Sequence, residues 1–414
     1  MRLRLALLIT FGVVTCADAP GRTPDLALVG ARIYSSPTAP PINNGTILLQ
    51  GTLIAYVGPS SKVKIPKDTK IIDCRGLIVT AGFWNSHVHI LLPGLLHAEQ
   101  LPSAQITSQL EAMLTRWGFT TVFDIASVLQ NTVVIRKRIE SGEVVGPKIL
   151  TVGEPFWGKG GTPIYVRGFF EANHISIPDV ESIEQGTKRV DEQIGAGADG
   201  IKIFANSIEQ DAVLTMPLNL AQPIVAEAHR SGKPVFAHVS NNQGIEVALD
   251  SGVDILAHTT PSDEAWSLAF ARRMVAARMA LTPTLTLWEV VGREEQATPN
   301  AIEQGMRKAA GQLNVFQQAG GDVLFGTDVG YLSEFDTSEE FRWMSRAGMN
   351  FQQILAALTT NPAERFGYSK HCGRIMKGMD GDLVVLSADP GRDATAFSKV
   401  RYTIRSGRVI YSGN

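Results

Sequence analysis

From Ala81 onward, short apolar segments alternate with longer amphipathic ones, and this rhythm constrains the chain more than any other feature. The apolar segments are residues 83–89, 120–125, 148–152, 200–204, 235–238, 255–258, 280–284 and 323–327. Each has strand length and is apolar almost throughout, the pattern of a strand buried on both faces of a parallel sheet. Between them lie stretches of helical periodicity, among them 103–117, 183–194, 218–230 and 263–278. Connections of that length bring a strand back parallel to its predecessor, where a hairpin needs only a few residues. Eight strands, each followed by a helix, is the count of an α/β fold of the (β/α)8 TIM-barrel type.

The two flanks read differently. Residues 25–79 are short β-like segments punctuated by Gly51, Gly58 and Gly76, and β-like character returns in 381–386, 402–404 and 407–411. The expected organisation is a small β-sandwich domain built from residues 26–80 and 372–414, with the barrel, residues 81–371, inserted between its halves. A chain of 414 residues, 44% apolar and 19% charged, can bury cores for both. Its net charge of −2, with signs interspersed, offers no basic footprint for nucleic acid.

At the N-terminus Arg2 and Arg4 precede an uncharged apolar run, residues 5–14, too short to span a bilayer. Ala17 and Ala19 follow as small residues at a cleavage position. Residues 1–19 therefore read as a signal peptide, which makes the mature chain periplasmic or secreted and leaves it no integral membrane domain. Cys16 raises a lipid anchor as the alternative. Once the leader is gone, Cys74 and Cys372 remain; they either pair in an oxidising compartment or stay separate buried thiols. Neither has the spacing of a metal knuckle.

The chemistry is carried by residues at strand ends. His87 and His89 are two apart on a strand, so their imidazoles face one side, and two imidazoles on one face can hold a divalent cation. His238 and His258 each end a short apolar strand, and Asp328 directly follows another. In a barrel these positions share one level, the C-terminal mouth where barrel chemistry is done. Lys202 lies inside a fourth strand, where a charge is costly without compensation. It is either paired with a carboxylate, or a Schiff-base nucleophile, or carboxylated by CO2 to an anionic carbamate able to bridge two metals.

These residues, with residues 76–89 before them and Thr360-Asn361-Pro362-Ala363 and residues 381–386 after, resemble the amidohydrolase superfamily over nearly all of the mature length. The similarity is to the two-metal subtype with a carboxylated lysine, in its imidazolonepropionase-related and prolidase-like dipeptidase branch. The resemblance implies that His87, His89 and Asp328 hold a buried metal, that His238 and His258 hold a more exposed one, and that carboxylated Lys202 bridges them together with a water or hydroxide. Zinc is the expected metal. Asp328 is implied as the group that takes a proton from that water and passes it to the leaving group. The implied reaction is hydrolysis of an amide or other C–N bond in a small molecule, of dipeptide or N-acyl amino acid type. Lactone or phosphotriester hydrolysis on the same site is the near alternative. A catalytically silent binding protein and a metal-free Schiff-base enzyme using Lys202 are the distant ones.

The long segment 154–178 follows the third barrel strand and holds Phe156, Trp157, Tyr165, Arg167, Phe169 and Phe170 among several glycines. Loops of this length in a compact domain tend to be functional, and this one is expected to act as a lid. Trp157, Tyr165 and Arg167, with Trp288 after the seventh strand and Tyr331 after the eighth, are the expected substrate contacts. Tyr165 or Arg167 would meet a substrate carboxylate. His97, His174, His229 and His371 read as surface or helix-end residues. The sequence leaves self-association open.

Overall fold

The computed structural model describes residues 24–210 and 212–413; the expected leader, residues 1–19 with Cys16, lies outside them. The chain begins in strands β1 (Leu26–Ile33), β2 (Ile42–Gln50), β3 (Leu53–Pro59), β4 (Lys70–Asp73) and β5 (Ile78–Ala81). It ends in β16 (Leu383–Leu386), β17 (Val400–Arg405) and β18 (Arg408–Ser412). All eight belong to one sheet, ordered β18-β17-β16-β5-β1-β2-β3, with β4 also pairing β1. The joint between the two ends is the antiparallel pair β5–β16, in which Thr80 faces Val384. The pairing thus gives a single sheet that branches at β1, where both β4 and β5 run parallel to it. It does not give the two stacked sheets of the expected sandwich. Leu28, Ile47, Val79, Leu383 and Ile404 form the core of this part.

The central strands are β6 (Phe83–Val88), β7 (Phe119–Asp124), β8 (Lys148–Thr151), β9 (Ile201–Phe204), β12 (Val235–His238), β13 (Ile255–Ala257), β14 (Ala280–Thr282) and β15 (Asp322–Val323). A short hairpin, β10 (Asn206–Glu209) and β11 (Ala212–Thr215), rises after β9. The eight central strands are parallel and form two arcs, β6-β7-β8 and β9-β12-β13-β14-β15. No continuous ladder closes the ring among the described residues. Single parallel bridges, Val88–Val329 and Phe156–Ile203, span the two gaps. The architecture is TIM-barrel-like.

Alternation along these strands decides what points inward. Ile201, Ile203, Val235, Ala237, Leu256 and Leu281 pack outward against the helices. Trp84, Phe123, Leu150, Phe236, Ile255 and Leu324 fill the interior. Phe366 closes the lower end, with its ring 4.9 Å from Phe123 and 5.7 Å from Trp84. Lys202 lies between two outward residues and His238 is in phase with Phe236, so both face inward, above this apolar floor. The apolar fill leaves polar groups only the upper end, where strands give way to loops.

The segment expected as a lid contains regular structure and is anchored at its base. It contains the helix Ile164–Ala172. Arg189 pins its base, stacking 4.1 Å from the Phe156 ring and donating to the carbonyls of Pro155 and Pro178. Asp179 accepts from Trp157 Nε1 at 2.9 Å and from Gly160 N at 2.7 Å.

Candidate metal centre

The four strand-end histidines make a continuous run of rings. Centroids of His89 and His87 are 5.3 Å apart, those of His87 and His258 are 4.6 Å apart, and those of His258 and His238 are 4.9 Å apart. Asp328 meets this run, with its Oδ1 3.0 Å from His87 Nε2 and 2.7 Å from His89 Nε2. One potential ligand atom each from His87, His258 and Asp328 falls within 4.8 Å of the others. Lys202 lines the same cavity as His89, His238, His258 and Asp328. All six residues singled out from the sequence as metal ligands are therefore brought together.

Backbone strain helps to place them. His258 and Asp328 adopt left-handed conformations, with φ of 77° and 62°, and so does Thr284 with φ of 43°. Such conformations are unfavourable for residues with a Cβ and persist where the surroundings hold them. Each falls just after a barrel strand and turns the side chain over the mouth. Gly330 permits the last of these turns: its φ is 101°, and a Cβ there would sit 1.8 Å from the His89 carbonyl oxygen.

Each of three imidazoles has a partner at Nδ1, which leaves Nε2 toward the centre. His89 Nδ1 lies 2.9 Å from the Ala126 carbonyl, which can only accept, so Nδ1 carries the proton and Nε2 presents a lone pair. His87 Nδ1 is directed at Thr282 Oγ1 at 3.5 Å, and His258 Nδ1 is 2.7 Å from Thr284 Oγ1. Burial lowers the His87 pKa to about 4 and holds those of His238 and His258 well below the usual imidazole value. Burial alone would raise the Asp328 carboxyl, but the adjacent imidazoles of His87 and His89 bring it well below the carboxylate range. The centre at neutral pH thus sets the neutral imidazoles of His87, His238 and His258 around an anion.

Two atoms test whether this set suits a metal. His87 Nε2 and Asp328 Oδ1 are buried and 3.0 Å apart, and neither finds a partner in good hydrogen-bond geometry. A buried ring nitrogen and a carboxylate oxygen left facing each other in this way are costly unless a cation or a proton lies between them. Nitrogen and oxygen donors of this kind are what zinc and similar divalent ions take. The residues present fit a metal.

Lys202 is 2% exposed, and burial lowers its pKa to about 8. Its Nζ lies 5.2 Å from the centre of the Phe204 ring, and Asp328 and Asp124 act on it only through space. It is not the carboxylate-paired lysine of the simplest expectation.

Asp124 was not foreseen. It ends β7 as His238 ends β12, so the same strand-end placement would have found it. Buried, it accepts from Ile90 N at 3.1 Å, from Thr151 Oγ1 at 2.8 Å and from the Ser127 and Thr132 hydroxyls. It is a positioning residue that fixes the loop carrying His89.

Around the centre lies a cavity of about 590 Å³. Trp157, Tyr165, Trp288 and Tyr331 line it, as expected of substrate contacts. Tyr165 Oη is 3.4 Å from His238 Nε2, and Trp288 stands edge-on to His258 with Nε1 held by Thr259 Oγ1 at 2.9 Å. Arg167 is the exception and corrects the expectation. Its guanidinium is paired with Glu209 on the hairpin and donates to the Thr162 carbonyl, and it does not line the cavity. His229 is a helix-end residue, with Nε2 2.7 Å from Asp254. Cys74 and Cys372 are both free thiols.

Comparison with known proteins agrees with this geometry. The amidohydrolase family model matches residues 78–410. The ochratoxinase of Aspergillus niger is 25% identical over 417 residues, spanning 89% of this chain and 83% of that protein. A Xaa-Pro dipeptidase solved with bound methionine superposes with a TM-score of 0.79 at 20% identity, over 94% of this chain and 100% of the other. A prolidase complexed with N-methylphosphonate-L-proline gives 0.77 at 24% identity, over 94% and 100%. The two structural likenesses speak for the fold; the family match, which runs from the inner edge of the β-sheet through the whole barrel and back, speaks for descent, and this chain belongs to the amidohydrolase family.

Proposed function

We propose that this chain hydrolyses amide bonds using two divalent metal ions, zinc in the first instance. His87, His89 and Asp328 would hold one ion, His238 and His258 the other, and a carboxylated Lys202 both. The observation that carries this reading is the buried meeting of His87 Nε2 and Asp328 Oδ1 without a hydrogen bond. Family membership supports the C–N bond as the one cleaved.

When bound, such ions lower the pKa of water and polarise a carbonyl. The chain's own groups do the rest. Asp328, held anionic, accepts the proton of the attacking water and returns it to the leaving nitrogen. Tyr165 and Trp288 stand beside His238 and His258 and would flank the reacting group. Burial lowers the Lys202 pKa to about 8, so about a tenth of it is neutral at pH 7, and the neutral amine is the form that adds CO2. The ammonium loses one proton to become that amine, and addition of CO2 to the amine nitrogen releases a second, leaving an anionic carbamate. A silent binding role would not require a complete ligand set. The leader expected over residues 1–19 would put this activity outside the cytoplasm.

Hydrolysis in ¹⁸O-labelled water, before and after metal removal by a chelator, tests the proposal. The expected result is one labelled oxygen in the carboxylate product, with activity lost on chelation and restored by zinc. Undiminished amide hydrolysis by the metal-free protein would refute it.

A further inference from the structure

We infer that the substrate is an uncharged amide bearing an aromatic or comparably bulky apolar group, with no free carboxylate beside the scissile bond. The inference rests on the reading of the site as an amide hydrolase and departs from the dipeptide or N-acyl amino acid expected from the sequence. It follows from what the cavity walls contain and what they lack.

The walls are apolar and aromatic. Trp157, Phe169, Phe170, Leu287 and Trp288 surround the approach to the centre. Ile164, Tyr165, Ile208 and Tyr331 are each between 37% and 42% exposed, and all four line this one cavity. Large apolar side chains left open to solvent and gathered in one concavity mark a binding surface. The cavity of about 590 Å³ has the size that small-molecule sites use.

No cation is left over for a carboxylate. Among the described residues lining the cavity there is no arginine, and the one lysine is Lys202, within the metal centre. Arg167, on the neighbouring helix, is held by Glu209. The rim instead carries Glu294 and Glu295, both exposed and both close enough to act on the Tyr331 phenol. A substrate carboxylate would find those two anions and apolar walls. Apart from the neutral hydroxyls of Tyr165, Tyr331, Ser240 and Ser262, the metal ions would be its attractive partner, and there it would displace the carbonyl that must react. An uncharged amide has neither difficulty, and its ring stacks on the walls.

A matched pair of amides tests this on the zinc-loaded full chain. N-benzoyl-L-phenylalanine and N-benzoylphenethylamine differ only in the α-carboxylate, and both release benzoate. Turnover is read as kcat/KM and binding as a shift in melting temperature. We expect the uncharged amide to be favoured by about tenfold or more, the discrimination that an unpaired charged group typically causes. The variant Ile164→Lys places a cation on the exposed wall and should lower that ratio about threefold at low salt. A preference for the acid would overturn the substrate class while leaving the amide-hydrolase reading intact. Binding of the uncharged amide alone, without turnover, would uphold the class and count against amide cleavage. Failure of the uncharged amide both to bind and to react would overturn the inference.

Discussion

If the Thr284 hydroxyl accepts the Nδ1 proton of His258, Nε2 is left free for a metal, and this orientation is what the substitution of Thr284 tests. The contact is 2.7 Å and Thr284 is fully buried, so water cannot replace the hydroxyl if it is removed. Thr284→Val removes the oxygen and keeps the shape. Both residues are β-branched, so the strain of φ at 43° is the same in each. Losing a group that orients a metal-bound histidine typically costs about 10–100-fold in metal affinity, or about 1.4–2.8 kcal/mol. The lost hydrogen bond costs about 1 kcal/mol of stability as well, too little to unfold a domain of this size. Competition against a chromophoric chelator at neutral pH reads the affinity. The weaker of the two sites should lose about tenfold or more, and Thr284→Ser, which keeps the hydroxyl, should lose less than about threefold. If Thr284→Val binds both metals within about twofold of the parent, the assignment of His258 Nε2 as a ligand is refuted.

Two further predictions concern the metal-free protein and the backbone. His87 titrates at about 4 when folded against an ordinary value of 6.5, because burial opposes its charge. The unfolded chain therefore binds more protons between those values, and metal-free stability should fall as pH drops from 6.5 to about 4, by about 3 kcal/mol at most. Urea melts of chelated protein across that window check the sign; a flat profile would contradict it. Gly330→Ala would drive a Cβ into the His89 carbonyl and should destabilise by about 3 kcal/mol or more, with loss of metal binding. Gly311→Ala, in the helix Pro299–Gln318 with nothing within 4 Å, should stabilise by about 0.5–1 kcal/mol; thermal melts separate the two.

What the sequence made legible was whatever local pattern dictates. Strands buried on both faces announce themselves as apolar runs, and a histidine or aspartate that closes such a run stands out against it. Hence His238, His258 and Asp328 were visible, and Lys202 too, as a charge between Ile201 and Ile203. What escaped depends on partners distant in the chain. Arg167 looked available because nothing local shows that Glu209, 42 residues on, would claim it. The anchoring of the segment around it was hidden because the residue that pins it, Arg189, lies in the following helix. Thr282 and Thr284 serve the histidines of other strands, and threonine in a strand is unremarkable on its own. The flanking strands were legible as strands, but their gathering into one branched sheet turns on β1 pairing with both β4 and β5, a choice that no local pattern encodes.

Metal content per chain decides whether the centre holds two ions joined through Lys202. Protein purified with zinc and bicarbonate should hold two ions per chain. Lys202→Ala, with its circular dichroism unchanged, should hold one or none. Two ions retained in that variant would contradict the bridging role of Lys202, and none in the parent protein would contradict the metal centre itself.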